Sequence, residues 1–164
     1  FSLHDALPIW QTPVYYNHLA GWHSPKYADL KVADALYSFG YGLSYTSYKY
    51  SNLKISKKIC SIKDIITVSV DVTNVGEYDG TEIVQLYIND VVSSIMTPVK
   101  ELKGFKRMFI KAGDTNTVNI DLSISNLTIV NADEEYIVEP GEFEIMVGSD
   151  SRDESLLKEN IIVK

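Results

Sequence analysis

The chain has 164 residues, with 15 Lys or Arg against 22 Asp or Glu, a formal net charge of −7. That sign argues against a nucleic-acid partner, whose phosphates are met by cations, and against an anionic membrane surface. Hydrophobic residues at 45% and charged residues at 23% are ordinary globular usage, and no apolar run reaches the roughly 18 residues that span a bilayer.

Residues 1–50 differ from the rest. They hold both tryptophans (Trp10 and Trp22), all three histidines (His4, His18 and His23) and eight of the 11 tyrosines. Apolar periodicity is weak here. One short helix is predicted, from Tyr27 to Tyr37, with Asp29, Lys31 and Asp34 on its wet side. From about Tyr48 the pattern becomes period two. Tyr48 to Ser56 is a weak strand candidate. Thr67 to Asn74 places Val68, Val70 and Val72 on one face of a half-buried strand. Val84, Leu86 and Ile88 share a face, opposite Ile83, Gln85, Tyr87 and Asn89. Leu102 to Ile110 is a second weak candidate. Val118, Ile120, Leu122 and Ile124 alternate with polar residues. Tyr136 to Val138 is a third weak candidate. Phe143, Ile145 and Val147 alternate with Glu142, Glu144 and Met146, and an apolar run, Ile161 to Val163, closes the chain. Turn chemistry separates these runs: Asn74-Val75-Gly76, Asp79-Gly80, Ala112-Gly113-Asp114 and Glu139-Pro140-Gly141. Glycine is expected to supply positive φ there. Six or seven short strands divided by turns predict an all-β sandwich of immunoglobulin or fibronectin type III kind, preceded by a largely irregular, aromatic-rich segment. The lone Cys60 cannot close an internal disulfide, so stability must come from the core. It is compatible with cytosol or with secretion.

Candidate chemistry is sparse. Asp133, Glu134 and Glu135 read as a solvated loop edge. Asn131, Asp133 and Glu135 alternate, but no glycine follows among them as a Ca²⁺ loop would need. The histidines lie on no common face and predict no zinc site. Cys60 reads as a small buried hydrophobe. Gly40-Tyr41-Gly42 lacks the preceding strand and third glycine of a dinucleotide fingerprint. No cofactor and no metal are expected. The aromatics are more informative. Sugars stack their C–H faces on such rings, and Tyr15, Tyr16, Trp22, Tyr27, Tyr37, Phe39, Tyr41, Tyr45, Tyr48 and Tyr50 could build a platform. Trp22, Tyr41 and Tyr45 are the candidate substrate-binding residues, for a β-linked oligosaccharide. The competing explanation is that these rings pack an irregular segment onto a domain, their hydroxyls satisfying stray backbone groups. That explanation is favoured.

An ordered series of motifs then points further. Tyr37-Ser-Phe-Gly-Tyr-Gly-Leu-Ser-Tyr-Thr46 resembles the linker that enters the C-terminal domain of glycoside hydrolase family 3 enzymes, the β-glucosidases and β-xylosidases. Asn74-Val-Gly-Glu-Tyr-Asp-Gly80, with Val84-Gln-Leu-Tyr87, resembles two strands of that domain and their loop. Pro98-Val-Lys-Glu-Leu-Lys-Gly-Phe105, then Val138-Glu-Pro-Gly141, Phe143 and Val147-Gly-Ser149, continue the series in order over roughly residues 13–164. Each motif is weak alone; the series is specific. Pro13-Val-Tyr-Tyr-Asn-His18 is similar to the end of the family's α/β sandwich domain. The linker usually carries Pro where Ser38 stands.

The resemblance implies four segments. Residues 1–12 stay unassigned and read as foreign to the pattern. Residues 13–36 are a remnant of the α/β sandwich domain, 37–47 the linker, and 48–164 a fibronectin type III-like domain. It implies that the partners are the catalytic domains of the same parent chain. The family's Asp nucleophile and its acid/base Glu lie upstream of everything matched. A retaining glycosidase needs two carboxyls about 5–5.5 Å apart, and no residue here carries over into either role. The catalytic set is therefore expected to be empty, and the chain inactive alone. A carbohydrate-binding module using the aromatic segment and a protein-interaction sandwich remain as alternatives.

Overall fold

The structure is a computed structural model and describes residues 15–19 and 35–164. Its strands are β1 (Tyr48–Ile55), β2 (Ile59–Cys60), β3 (Ile65–Asn74), β4 (Gly80–Asp90), β5 (Glu101–Ile110), β6 (Thr115–Ser123), β7 (Ile129–Val130), β8 (Tyr136–Ile137), β9 (Gly141–Gly148) and β10 (Leu156–Val163). Seven are long, and three are two-residue pieces. One sheet has the order β1-β3-β6, the other β2-β10-β9-β4-β5. All long pairs are antiparallel, while β2 joins β10 in parallel. The small pair β7-β8 stands apart as a two-stranded sheet.

The alternation explains the layering. Val68, Val70 and Val72 of β3 and Val118, Ile120 and Leu122 of β6 are buried together with Val84, Leu86 and Ile88 of β4 and Phe143, Ile145 and Val147 of β9. Each such side chain contributes about 1.5–3 kcal/mol by leaving water. Asn74 ties the two sheets where the chain crosses between them. Its Oδ1 accepts from Thr46 Oγ1 (2.5 Å) and from Gly76 N (3.1 Å). Its Nδ2 donates to the carbonyls of Tyr78 (2.8 Å) and Ile110 (3.1 Å). A wholly buried amide is thus saturated.

Several expectations need correction. Residues 27–34 of the predicted helix lie outside the described residues, and Leu36 and Tyr37 form a bend, not a helix. Ile124 does not continue β6; it starts a 3-10 turn, Ile124–Asn126, yet stays buried. Among the turn glycines only Gly113 has positive φ (81°), and Gly40, ahead of β1, joins it (81°). Gly76 and Gly80 serve close approach instead. A Cβ on Gly76 would strike the Thr46 side chain, and one on Gly80 the Tyr48 hydroxyl. Positive φ at non-glycines falls on Asn52 (54°) and Glu134 (63°). Asn52 sits where the β1–β3 register shifts, and its amide donates to Asp71 (2.9 Å). Asn131 Oδ1 accepts from Asp133 N (2.9 Å) and Glu135 N (2.8 Å), so that acidic run is a side-chain-closed turn.

Candidate functional site, an aromatic hub on the five-stranded sheet

The second face of β4, opposite Val84, Leu86 and Ile88, is covered at Gln85 and Tyr87. Tyr87 has 0% exposure, with Met146 of β9 and Leu156 of β10 buried beside it. The cover is the aromatic segment. Tyr16 meets Tyr87 edge-on at 5.9 Å and stacks on Phe39 at 4.0 Å. Apolar contact is then locked by backbone bonds. Val99 N donates to the His18 carbonyl (2.9 Å), Leu19 bridges Pro98, and Ser151 N donates to the Phe39 carbonyl (2.9 Å). Leu102 N donates to the Tyr16 hydroxyl (3.4 Å).

Gln85 is the centre of this joint. Its Nε2 donates to the carbonyls of Gly40 (3.1 Å) and Ser149 (2.5 Å), and its Oε1 accepts from the Tyr87 hydroxyl (2.5 Å). Gly40 is required twice over. It has positive φ, and a Cβ there would overlap the Gln85 amide. Burial pushes the Tyr87 hydroxyl well above the ordinary tyrosine value, with Tyr16 and the charge of Asp150 adding to it. Tyr87 therefore stays a neutral donor.

Charges brace the rim. Lys100, only 8% exposed, donates to the Ser151 carbonyl (2.9 Å) and Asp153 (3.0 Å). Burial raises the Asp150 carboxyl, but the Arg152 fork outweighs it: Nη2 to Oδ2 is 2.7 Å, and Arg152 N to Oδ1 is 2.9 Å. The net shift is downward. The same guanidinium lies 5.6 Å from the Tyr41 ring centroid. Nearby, Tyr50 donates to Glu82 (2.6 Å). Burial raises the Glu82 carboxyl; the Tyr50 bond lowers it but does not cancel the shift.

Sequence reasoning named Trp22, Tyr41 and Tyr45. Trp22 lies outside the described residues. Tyr41 is 41% exposed, tilted against Tyr37 at 5.6 Å, and Tyr45 is 97% exposed. No contact joins Tyr41 to Tyr45. Reasoning missed Gln85, Lys100, Asp150 and Ser151. For Gln85 and Lys100 the signal was a polar residue inside an apolar motif, Val-Gln-Leu-Tyr and Pro-Val-Lys-Glu-Leu; Asp150 and Ser151 had none. Next to Pro98, a cleft of about 210 Å³ is lined by Asp90, Met96, Lys103, Leu127 and Phe143. Burial and then the charge of Glu139 push the Asp90 carboxyl up. Glu139 itself braces a loop, accepting from Ser94 N (2.9 Å). Among the described residues, no three His, Cys, Asp or Glu side chains converge as a metal set.

The strand order and this motif-lined joint agree with a family model for the fibronectin type III-like domain, which matches residues 82–151. Residues 82–151 carry a fibronectin type III-like domain, and the relatives matched around it are β-glucosidases and β-xylosidases. The chain is 45% identical over 139 residues to the thermostable β-glucosidase B of Acetivibrio thermocellus, covering 84% of this chain and 18% of that protein. It is 38% identical over 158 residues to a β-xylosidase of Formosa agariphila, covering 95% and 22%. Among solved structures, a β-glucosidase of saponin metabolism from intestinal bacteria superposes with TM-score 0.87 at 41% identity, over 94% of this chain and 21% of that one. The β-glucosidase of Listeria innocua in complex with glucose gives 0.81 at 32% identity, over 93% and 22%. The chain thus spans about a fifth of the length of these relatives. In them the fibronectin type III-like domain is one part of a larger chain.

Proposed function

We propose that this chain is the non-catalytic module of a β-glycosidase, and that its hub fastens the module to the catalytic domains of the same chain. In this reading residues 13–36 close a neighbouring α/β sandwich domain, 37–47 are the linker, and 48–164 are the module. Hydrolysis of β-glucosides or β-xylosides belongs to the parent. One observation carries the reading. Tyr16 meets Tyr87 edge-on and is stacked on its other side by Phe39, while the carbonyls of His18 and Phe39 accept from Val99 N and Ser151 N. Rings used this way join segments of protein and are withheld from sugar. Residues 1–12 are read as foreign to the module.

The test is an assay of the purified chain on chromogenic aryl β-glucosides and β-xylosides, with no turnover expected. Turnover abolished by a single Asp or Glu substitution overturns the reading. The exposure of Tyr45, and of Tyr41 beneath Arg152, favours a second reading as a β-linked oligosaccharide site together with Trp22. Calorimetry with cello- and xylo-oligosaccharides separates the two. Millimolar binding lost in Trp22→Ala, Tyr41→Ala or Tyr45→Ala supports the sugar site.

A further inference from the structure

The two outer faces of the sandwich are chemically opposite. On the three-stranded sheet, Thr67 donates to Asp121 (2.7 Å), Thr117 to Asp71 (2.6 Å), and Thr73 pairs with Thr115 (2.7 Å). Apart from Ile65 at one end, these side chains satisfy one another and water. On the five-stranded sheet the hub covers Tyr87 and Met146, but the cover stops before the edge strand β5. Register sets Gln85 opposite Phe105, Ile83 opposite Arg107 and Thr81 opposite Phe109, so all six share the outer face. Phe105 is 68% exposed, Phe109 56% and Ile83 47%. Leu43, also exposed, borders the same crevice as Ile83.

We infer that Leu43, Ile83, Phe105 and Phe109 form a docking strip, and that its occupant is the remainder of the longer chain, through an apolar surface with an acidic rim. The inference rests on the module reading above and extends it from the hub to a second surface. Three observations select the occupant. The strip runs on from the hub, because Gln85 both holds the linker at Gly40 and neighbours Phe105. The relatives carry about four-fifths of their length outside the matched region. A second copy is disfavoured by charge. Strand β5 and the residue after it carry Lys103, Lys106, Arg107 and Lys111 against Glu101, and edge pairing about a twofold axis would set those cations together. On a chain of net charge −7 that local excess of cations suits an acidic counterpart.

The experiment grafts this chain into the Acetivibrio thermocellus β-glucosidase B in place of its matching 139 residues. Phe105→Thr with Phe109→Thr keeps strand propensity while removing the rings. In the active graft the pair is expected to shorten the half-life at elevated temperature by about fivefold or more, whereas the free 164-residue chain keeps its melting temperature. Thr67→Ala, on the opposite face, is expected to change neither. Equal half-lives with and without the rings overturn the strip and leave the module reading standing. An unmutated graft that is inactive overturns both. A dimer of the free chain lost with the ring pair assigns the strip to a second copy, and retention on xylan lost with it assigns the strip to a glycan; either overturns the inference.

Discussion

Asn74 and Gln85 are buried and Glu82 is half-buried, and the carboxylate is handled differently from the two amides. The two amides are fully matched by carbonyls and hydroxyls, so their burial is tolerable and directional. Glu82 is a charge with one strong donor, Tyr50, and its carboxyl titrates above the ordinary 4.5 because burial disfavours the anion. A raised native value means that the native state holds the proton longer than the unfolded chain. Stability therefore falls as pH rises from about 4.5 through the native value of Glu82. Asp150, lowered by Arg152, acts in the opposite sense: its contribution is present above 3.8 and lost as pH falls below that. Glu82→Gln keeps an acceptor for Tyr50 and removes the half-buried charge. It is expected to raise stability at pH 7 and to flatten the decline above pH 4.5 in urea titrations. An unchanged slope refutes the assignment. Sequence reasoning saw the turn role of Asn74 from its place before Val75-Gly76. It missed Gln85 because position 85 falls on the polar side of an alternating strand.

Among elements, the strands were the most legible part. Val68, Val70 and Val72 have a period that only a half-buried strand satisfies, and slipping by one residue would expose all three. The register shift opposite Gly104 was hinted at by the glycine itself. A Cβ there would lie 3.0 Å from Ile120 Cγ2, and the β4–β5 pairing shifts beside it, between Leu86 and Tyr87. Which glycines are needed for close approach was not legible, because crowding by another segment leaves no signature at the glycine itself. Gly148 shows the point. Its hydrogen faces the Ser155 carbonyl where β9 turns into β10, so an added methyl meets backbone. Gly148→Ala is expected to cost about 3 kcal/mol in chemical denaturation, at the upper end for overpacking. Gly42→Ala, with nothing near it, is expected to stay within about 0.5 kcal/mol of the parent. Similar costs at both sites would show that β9–β10 can give way.

At the scale of the whole molecule, the hub makes one body of segments far apart in the chain, near residues 16, 39, 87, 100 and 151. Its bonds lie on the outer face and not in the core, so it should open separately from the sandwich. Gln85→Ala removes the link to Gly40 and leaves the Tyr87 hydroxyl without an acceptor. Hydrogen exchange is expected to quicken at the Ser151 amide at least tenfold more than at Val70 in the β3–β6 ladder. Equal acceleration would mean that the hub and the core are one cooperative unit. By itself the sequence determined the all-β class, the inward rows of valine, isoleucine and leucine, and the motif series that leads to the fibronectin type III-like domain. Each of these is local, resting on a period of two or on short runs of neighbouring residues. The tertiary structure alone decided which aromatics are buried, which polar side chains become joints, and which outer face is left apolar. Those outcomes depend on partners far apart in the chain, as between Phe39 and Ser151, and such meetings leave no trace in adjacent residues.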